Sequence, residues 1–336
     1  MTPLAKNGPR RDIIVVGASA GGVEAVSDLL AELPPDLTAA LLVVVHTSPV
    51  GRGLLPQVLQ RKSRLPVEHG EDGETVRPGH VYVARPDHHL VVSGGRMHVT
   101  RGPRENHTRP AIDPLFRSVA LAYGQRVIAV VLTGMLHDGS AGLHAVRLCG
   151  GTCIVQDPDD AVHGDMPRNA MRMVTPHHVV RRHDLPALLV QLVQEPIMID
   201  APVPEARKHV EIETRIALGE NAMNAGVMSL GPASPYTCPE CHGVLLQLNE
   251  EGFVRFRCHT GHAYTVESLL ATGATAIEDA LWNSVRSIEE RVMLLRHIAA
   301  HARATGDEVT AHALEKQAHS TNARGERIRE LATGTS

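Results

Sequence analysis

From Asp12 to about Val193, short apolar runs rich in β-branched residues alternate with longer amphipathic segments. That rhythm belongs to βα units laid on a parallel sheet. The runs IIVVG (13 to 17), LLVVVH (41 to 46), HVYVA (80 to 84), HLVVS (89 to 93), MHVT (97 to 100), RVIAVVLTG (126 to 134) and TCIVQ (152 to 156) predict strands. The first, second, sixth and seventh are continuously apolar, as strands covered by helices on both faces should be. HLVVS and MHVT alternate more and flank Gly94-Gly95-Arg96, which predicts a β-hairpin at a sheet edge. VEAVSDLLAEL, PLFRSVALAYG and GLHAVRLCGG read as helices, the last closed by glycines suited to a left-handed cap. The predicted fold class is α/β, a doubly wound, mostly parallel sheet with an antiparallel edge hairpin.

Beyond residue 193 the periodicity fades. Residues 194–235 turn to Pro, Glu, Ala and Met and read as a linker with some local helix. Residues 236–270 form a compact cysteine-bearing module, in which VLLQLNEEGFVRFR predicts a hairpin around Asn249-Glu250-Glu251-Gly252. Leu281, Val285, Ile288, Val292, Leu295 and Ala299 then step by four and three, the seam of a helix packed on another helix. A break at Thr305-Gly306-Asp307 precedes a second helical stretch, so 275–332 is a helical segment. Both a helical hairpin packed on itself and a dimerising coiled coil fit a seam of under three heptads. The domains expected are therefore 10–193, a linker at 194–235, a module at 236–270 and helices at 275–332.

Composition narrows the function classes. The chain has 336 residues, enough for more than one domain. A net charge of -4 and 2% aromatic residues argue against a nucleic-acid groove. The first ten residues, MTPLAKNGPR, are polar, and the apolar run after them is too short for a signal-peptide core or a membrane span. A cytoplasmic protein with no membrane insertion is expected. Five cysteines, two in a C-x-x-C pair, fit a metal site in a reducing compartment better than a disulfide framework. Cys149 and Cys153, around Gly150-Gly151, read as buried packing residues. His88, His89, His177 and His178 read as surface or hydrogen-bonded residues, because neighbouring side chains on a strand point to opposite faces.

The turn Gly17-Ala18-Ser19-Ala20-Gly21-Gly22 joins a predicted strand to a predicted helix. A dinucleotide site would need G-x-G-x-x-G there and an acidic residue ending the second strand. Ser19 stands where the second glycine belongs, and the second strand ends in His46. The turn instead fits G-x-S-x-G, where small flanking residues permit a strained backbone that lifts the serine hydroxyl above the sheet. The helix start behind it offers free N–H groups and a positive dipole end to a developing oxyanion. A purely structural turn is the competing reading of this motif alone. Two further strand ends add weight: His46 closes LLVVVH, and Asp138 lies in the loop after RVIAVVLTG. The carboxyl ends of parallel strands form the crevice where open α/β sheets bind ligands. Ser19 as nucleophile, His46 as general base and Asp138 as its orienting group would compose an acyl-transfer triad.

Six stretches, IIVVGASAGGVEAV, VVVHTSP, PGHVYVARPDHHLVV, RPAIDPLFRSVA, VVLTGMLHDGSAGL and GTCIVQDPDDAVHGDMPRNAM, resemble in this order the CheB family of chemotaxis protein-glutamate methylesterases over about residues 12 to 193. The resemblance assigns the family's triad to Ser19, His46 and Asp138. It implies hydrolysis of glutamate γ-methyl esters on the cytoplasmic domains of methylated chemoreceptors, with release of methanol, and deamidation of receptor glutamines as a second activity. N–H groups near Ala20 and Met135 would hold the oxyanion, and no cofactor would be needed for catalysis. Ala20 replaces the family's usual threonine, and Leu136-His137 replaces Gly-Asn before the aspartate, which makes His137 a competing polar partner. No receiver domain precedes the first strand at residue 13, so the expectation is constitutive activity or a separate regulator in trans. Two rivals are a related hydrolase of another ester or amide, and a signalling scaffold whose triad is idle while the module and helices bind a partner.

The C-terminal cysteines have their own chemistry. Cys238-Pro239-Glu240-Cys241 is followed by Gly243, and Cys258 opens Cys258-His259-Thr260-Gly261-His262. Two knuckles joined by a hairpin predict a zinc ribbon with Cys238, Cys241, Cys258 and His262 as tetrahedral ligands of a structural Zn2+. His242 and His259 are alternative fourth ligands, and a redox pair at Cys238 and Cys241 is the competing reading. Stand-alone CheB-like proteins with a cysteine-rich tail and trailing helices extend the resemblance over the C-terminal third.

Overall fold

The structure, a computed structural model, describes residues 9–197, 204–250 and 253–334. In chain order its elements are β1 (Ile13–Ala18), α1 (Gly22–Glu32), β2 (Ala40–Val45), α2 (Leu55–Gln60), β3 (Val67–His69), β4 (Val81–Val83), β5 (His89–Ser93), β6 (Arg96–Thr100), α3 (Ile112–Tyr123), β7 (Val127–Val131), α4 (Ser140–Leu148), β8 (Thr152–Gln156), α5 (Asp165–Met173), β9 (His178–Val180) and α6 (Leu185–Gln194). They continue with α7 (Pro204–Ala217), α8 (Ala222–Ala225), β10 (Ala233–Thr237), β11 (Val244–Glu250), β12 (Phe253–Cys258), β13 (Ala263–Thr265), α9 (Val266–Ala304) and α10 (Glu308–Thr333). The chain forms two compact units, divided after Ser268.

In the first unit, seven strands form one sheet in the order β3-β4-β2-β1-β7-β8-β9, and each pairing is parallel. The chain starts at the centre, builds outward through β2, then returns to the other side of β1 with β7. The switch in strand order therefore falls between β1 and β7. Alternation along the strands feeds two cores. Ile13, Val15, Leu42, Val44, Ala129 and Val131 face α3, α4 and α5 through Leu115, Phe116, Leu143 and Met166. Ile14, Val16, Leu41, Val43, Ile128 and Val130 face α1 and α6 through Val26, Leu29, Leu30 and Leu189. Strands buried on both sides have to read as continuous apolar runs, which is why these could be found by eye.

Three features differ from expectation. The hairpin β5-β6 is a separate two-stranded sheet rather than an edge of the main one, and its Leu90, Val92 and Met97 pack into the α3 core. The edges are instead held by β3 and β9, three residues each and incompletely buried, too short and too polar to register as strands in the sequence. The stretch expected as a linker with some local helix, of which 198–203 lie outside the described residues, carries the helix α7, but this helix is packed: Ile212 and Ile216 join a core with Val227, Leu230, Leu246 and Leu248. Its charged sequence conceals an apolar face.

The cysteine-bearing module is a four-stranded antiparallel sheet, β10-β11-β12-β13. β11 and β12 form the expected hairpin, whose turn residues 251 and 252 lie outside the described residues. In the second unit, Val292 and Leu295 of α9 pack on Ala318 of α10, with Ile288 and Leu314 alongside, so the seam is used within the chain. Among the described residues no helix is long and apolar enough to cross a membrane.

Candidate functional site

Ser19 is the first residue beyond β1. Its N–H donates to the carbonyl of Thr133 at 3.0 Å, and its carbonyl accepts from Gly22 N–H at 2.8 Å, tying the turn both to the end of the neighbouring strand and to the start of α1. The backbone reversal is carried by Gly21, at a φ of 76°, so the strain expected at the serine itself is taken by a residue without a Cβ. His46 follows β2, and its N–H donates to Ala18 O at 3.1 Å. The strand order β2-β1-β7 thus lines up the three loops that bear Ser19, His46 and Asp138.

The three predicted residues meet. Ser19 Oγ lies 3.1 Å from His46 Nδ1, and His46 Nε2 lies 2.7 Å from Asp138 Oδ2. An ionised carboxylate can only accept, so the ring proton sits on Nε2, and Nδ1 is left with its lone pair toward the serine hydroxyl. His46 is partly open to solvent while Asp138 is sealed, with side-chain exposures of 16% and 2%.

Asp138 is the most heavily engaged group of the site. Oδ2 also accepts from Ile112 N–H at 2.6 Å, and Oδ1 accepts from Asp113 N–H at 3.3 Å and Asn106 Nδ2 at 3.4 Å. Both backbone donors belong to the first turn of α3, where free N–H groups and the helix dipole favour an anion. Burial alone would push this carboxyl up, but the bonds from His46, Ile112 and Asp113 outweigh it and hold Asp138 below the usual carboxylate range. Asp113 goes the other way, raised well above that range by burial and by the charge of Asp138. Close approach makes the arrangement possible: a Cβ on Gly17 would come within 2.4 Å of Ile112 Cγ2. Asn106 and Asp113 escape a reading from the sequence; Asp113 lies within RPAIDPLF, but its type and spacing alone assign it no contact with Asp138.

Ala20 lies directly behind Ser19, its carbonyl accepting from Thr133 Oγ1 at 3.0 Å. Met135 follows β7 and is half exposed. His137, the competing partner, pairs with Glu267 at 3.6 Å and Asn169 at 3.5 Å, leaving Asp138 to His46. Cys149 and Cys153 are buried, and burial pushes the Cys153 thiol up to about 12. His89 is buried too, bridging Pro103 O and Ala111 N–H.

Cys238, Cys241, Cys258 and His262 bring their ligand atoms within 4.8 Å of one another. Cys241 and Cys258 sulfurs are 3.6 Å apart, and His262 Nδ1 lies 3.7 Å from Cys238 and 3.5 Å from Cys258. A zinc tetrahedron with bonds of about 2.3 Å to sulfur and about 2.0 Å to nitrogen has edges of about 3.5 to 3.8 Å, so these residues fit that ion. His262 Nε2 faces Glu240 at 3.3 Å, the outer carboxylate that orients a ligating imidazole. His242 and His259 are not in the cluster.

A buried charge network joins this four-stranded module to the α/β body. Glu213 of α7 accepts from Arg255 at 2.9 and 3.0 Å and from Arg257 at 2.6 Å. Arg257 also reaches Glu105 at 2.9 Å, and Glu105 takes two bonds of 2.5 Å from Arg117 of α3. Arg255 further pairs with Glu250.

A model of the CheB methylesterase family matches residues 14–189. A protein-glutamate methylesterase/protein-glutamine glutaminase of Thiobacillus denitrificans is 36% identical over 183 residues, covering 53% of this chain and 51% of that one. A protein of the same description from Myxococcus xanthus is 41% identical over 181 residues, with 54% and 51% covered. The chain therefore spans about half the length of these curated relatives. The crystal structure of the Thermotoga maritima CheB methylesterase catalytic domain superposes with a TM-score of 0.53 at 33% identity, covering 55% of this chain and 100% of that one. With a sheet of this order, Ser19, His46 and Asp138 gathered at its switch point and the family model spanning 14–189, the chain belongs to the CheB methylesterase family.

Proposed function

We propose that this chain is a protein-glutamate methylesterase, hydrolysing glutamate γ-methyl esters on the cytoplasmic domains of chemoreceptor-like proteins, and that the same site deamidates protein glutamines. The observation that carries the reading is the series Ser19 Oγ, His46, Asp138, hydrogen-bonded at 3.1 and 2.7 Å with Asp138 at its buried end. Ser19 attacks the γ-carbonyl as its proton passes to His46 Nδ1. The tetrahedral oxyanion is met by the N–H groups of Ala20 and Met135, and Asp138 stabilises the imidazolium. Collapse breaks the ester C–O bond, and methanol leaves with the proton from His46. Water then gives a proton to His46 and attacks the acyl-enzyme, the bond between the acyl carbon and Ser19 Oγ breaks, and His46 returns the proton to Oγ, so that one ester and one water become one carboxylic acid and one methanol.

The test is methanol release from a methylated receptor fragment, followed alongside phosphonate labelling of Ser19. Release that needs Ser19 supports the assignment. Labelling without release from any methylated fragment would transfer the site to a different ester or amide.

In this reading the cysteine–histidine cluster holds a structural zinc with closed coordination, leaving no open position for water. When bound, the ion supplies folding energy to the ribbon and no step of the hydrolysis. Metal analysis of the purified chain is expected to give about one zinc per chain, and Cys258→Ser is expected to lose it. Full zinc content in that variant would discard the ligand set.

A further inference from the structure

We propose that Asn106 is a positioning residue for Asp138, and that the ribbon sets the place of Asn106, so that the C-terminal module acts on hydrolysis through this one side chain. The inference adds a residue and a module to the proposed esterase site, and its kinetic arm rests on that reading.

Asn106 is buried, and its carboxamide is used at both ends. On one side Oδ1 accepts from Thr265 N–H at 3.1 Å and Ser268 Oγ at 3.0 Å, where β13 ends and α9 begins. On the other, Nδ2 donates to Asp113 Oδ2 at 3.3 Å and to Asp138 Oδ1 at 3.4 Å. The orientation of the amide is therefore dictated: a backbone N–H on one side demands an oxygen, and two carboxyl groups on the other demand the NH2. Asn106 N–H is pinned as well, donating to Ala263 O at 2.9 Å, and its φ of 49° is a left-handed value that asparagine tolerates better than most residues. The next residue, His107, faces Glu240 at 3.3 Å, and Glu240 faces the ligand His262. One continuous path of contacts runs from the cysteine–histidine cluster to the orienting carboxylate of the triad.

Asp138 has strong donors on Oδ2, but among the described residues Oδ1 has only Asp113 N–H and Asn106. Losing Asn106 leaves Oδ1 held by the 3.3 Å bond from Asp113 N–H, so that the carboxylate can tilt, and with it the imidazole that must face Ser19. Small displacements of this kind cost rates on the order of 10²-fold.

The experiment is a set of variants of the full chain. Asn106→Ala is expected to lower kcat for methyl-ester hydrolysis by roughly 10- to 100-fold with KM within about twofold. It is also expected to move the resonance of the His46 Nε2 proton shared with Asp138. Asn106→Asp keeps the shape and the acceptor for Thr265 but turns a carboxylate toward Asp113 and Asp138. It is expected to be no better than alanine, with an alkaline loss of activity that the parent lacks; a purely structural role predicts that the isosteric change is milder. Ser268→Ala touches Asn106 from the ribbon side only and is expected to slow turnover about threefold in the parent and not at all in the Asn106→Ala background. Unchanged kcat and an unmoved His46 resonance in Asn106→Ala overturn the positioning role, and additive effects of Ser268→Ala overturn the ribbon's part in it. If the parent hydrolyses no methyl ester, the function proposed above fails while the resonance still decides this one.

Discussion

Ser19→Ala is expected to lower kcat/KM for methyl-ester hydrolysis by about 10⁴-fold or more with the fold left intact. The hydroxyl makes one side-chain hydrogen bond, to His46, and alanine keeps the Cβ that closes on Gly134. Nothing buried is left unpaired, so the unfolding midpoint should match that of the parent. Asp138→Asn should cost a similar factor in rate and, unlike the serine change, stability as well. Both oxygens of Asp138 accept from two donors each: His46 and Ile112 N–H on Oδ2, Asp113 N–H and Asn106 on Oδ1. Whichever way an asparagine is turned, its NH2 meets a fixed donor, Ile112 N–H on one side, where His46 must also change tautomer to accept, or Asp113 N–H and Asn106 Nδ2 on the other; a buried donor without an acceptor costs about 1 to 3 kcal/mol. Parallel rate and denaturation measurements on the two variants separate the roles. Equal stability in both would mean that Asp138 is not a structural hub, and residual turnover above about 1% in Ser19→Ala would mean that another group is the nucleophile.

The contrast between these residues and Asn106 explains what the sequence could disclose. Ser19, His46 and Asp138 follow strands buried on both faces, and a parallel sheet brings the carboxyl ends of such strands together by its geometry alone. The clustering of Cys238, Cys241, Cys258 and His262 is legible for a similar reason, since knuckle spacing at the two ends of a hairpin brings four such side chains together. Asn106 sits in an irregular loop between Thr100 and Ile112, and its partners lie 32 and 159 residues away, a pairing that no local pattern encodes. α7 was hidden by its charges. PEARKHVEIETRIA falls in the stretch read as a linker with some local helix, yet Glu213 is buried, with three arginines from β12 and α3 around it. Hydrophobic periodicity finds cores made of apolar residues, and a core made of ion pairs leaves no such trace.

That ionic core makes Glu213 a consequential position outside Ser19, His46 and Asp138. Arg255 and Arg257 point at it from the ribbon, and both are sealed from solvent. Glu213→Gln keeps the size of the side chain and removes the charge, leaving buried guanidinium groups short of a counter-ion; breaking a buried pair in this way costs about 3 to 5 kcal/mol. Against a typical total of about 5 to 15 kcal/mol, that should lower the denaturation midpoint clearly. The pH dependence has a defined sign. Burial alone would raise the Glu213 carboxyl, but Arg117, Arg255 and Arg257 hold it well below the ordinary range. A depressed carboxyl stabilises the fold above its unfolded pKa, about 4.3 for glutamate, and that contribution is lost as pH falls through the folded value. The gap in stability between parent and Glu213→Gln should therefore be widest near pH 6 and close as the pH is taken below 4. A gap under about 1 kcal/mol at pH 6, or one that grows on acidification, would show that these arginines reach solvent and that the ribbon is held to the catalytic body by its apolar contacts with α7 alone.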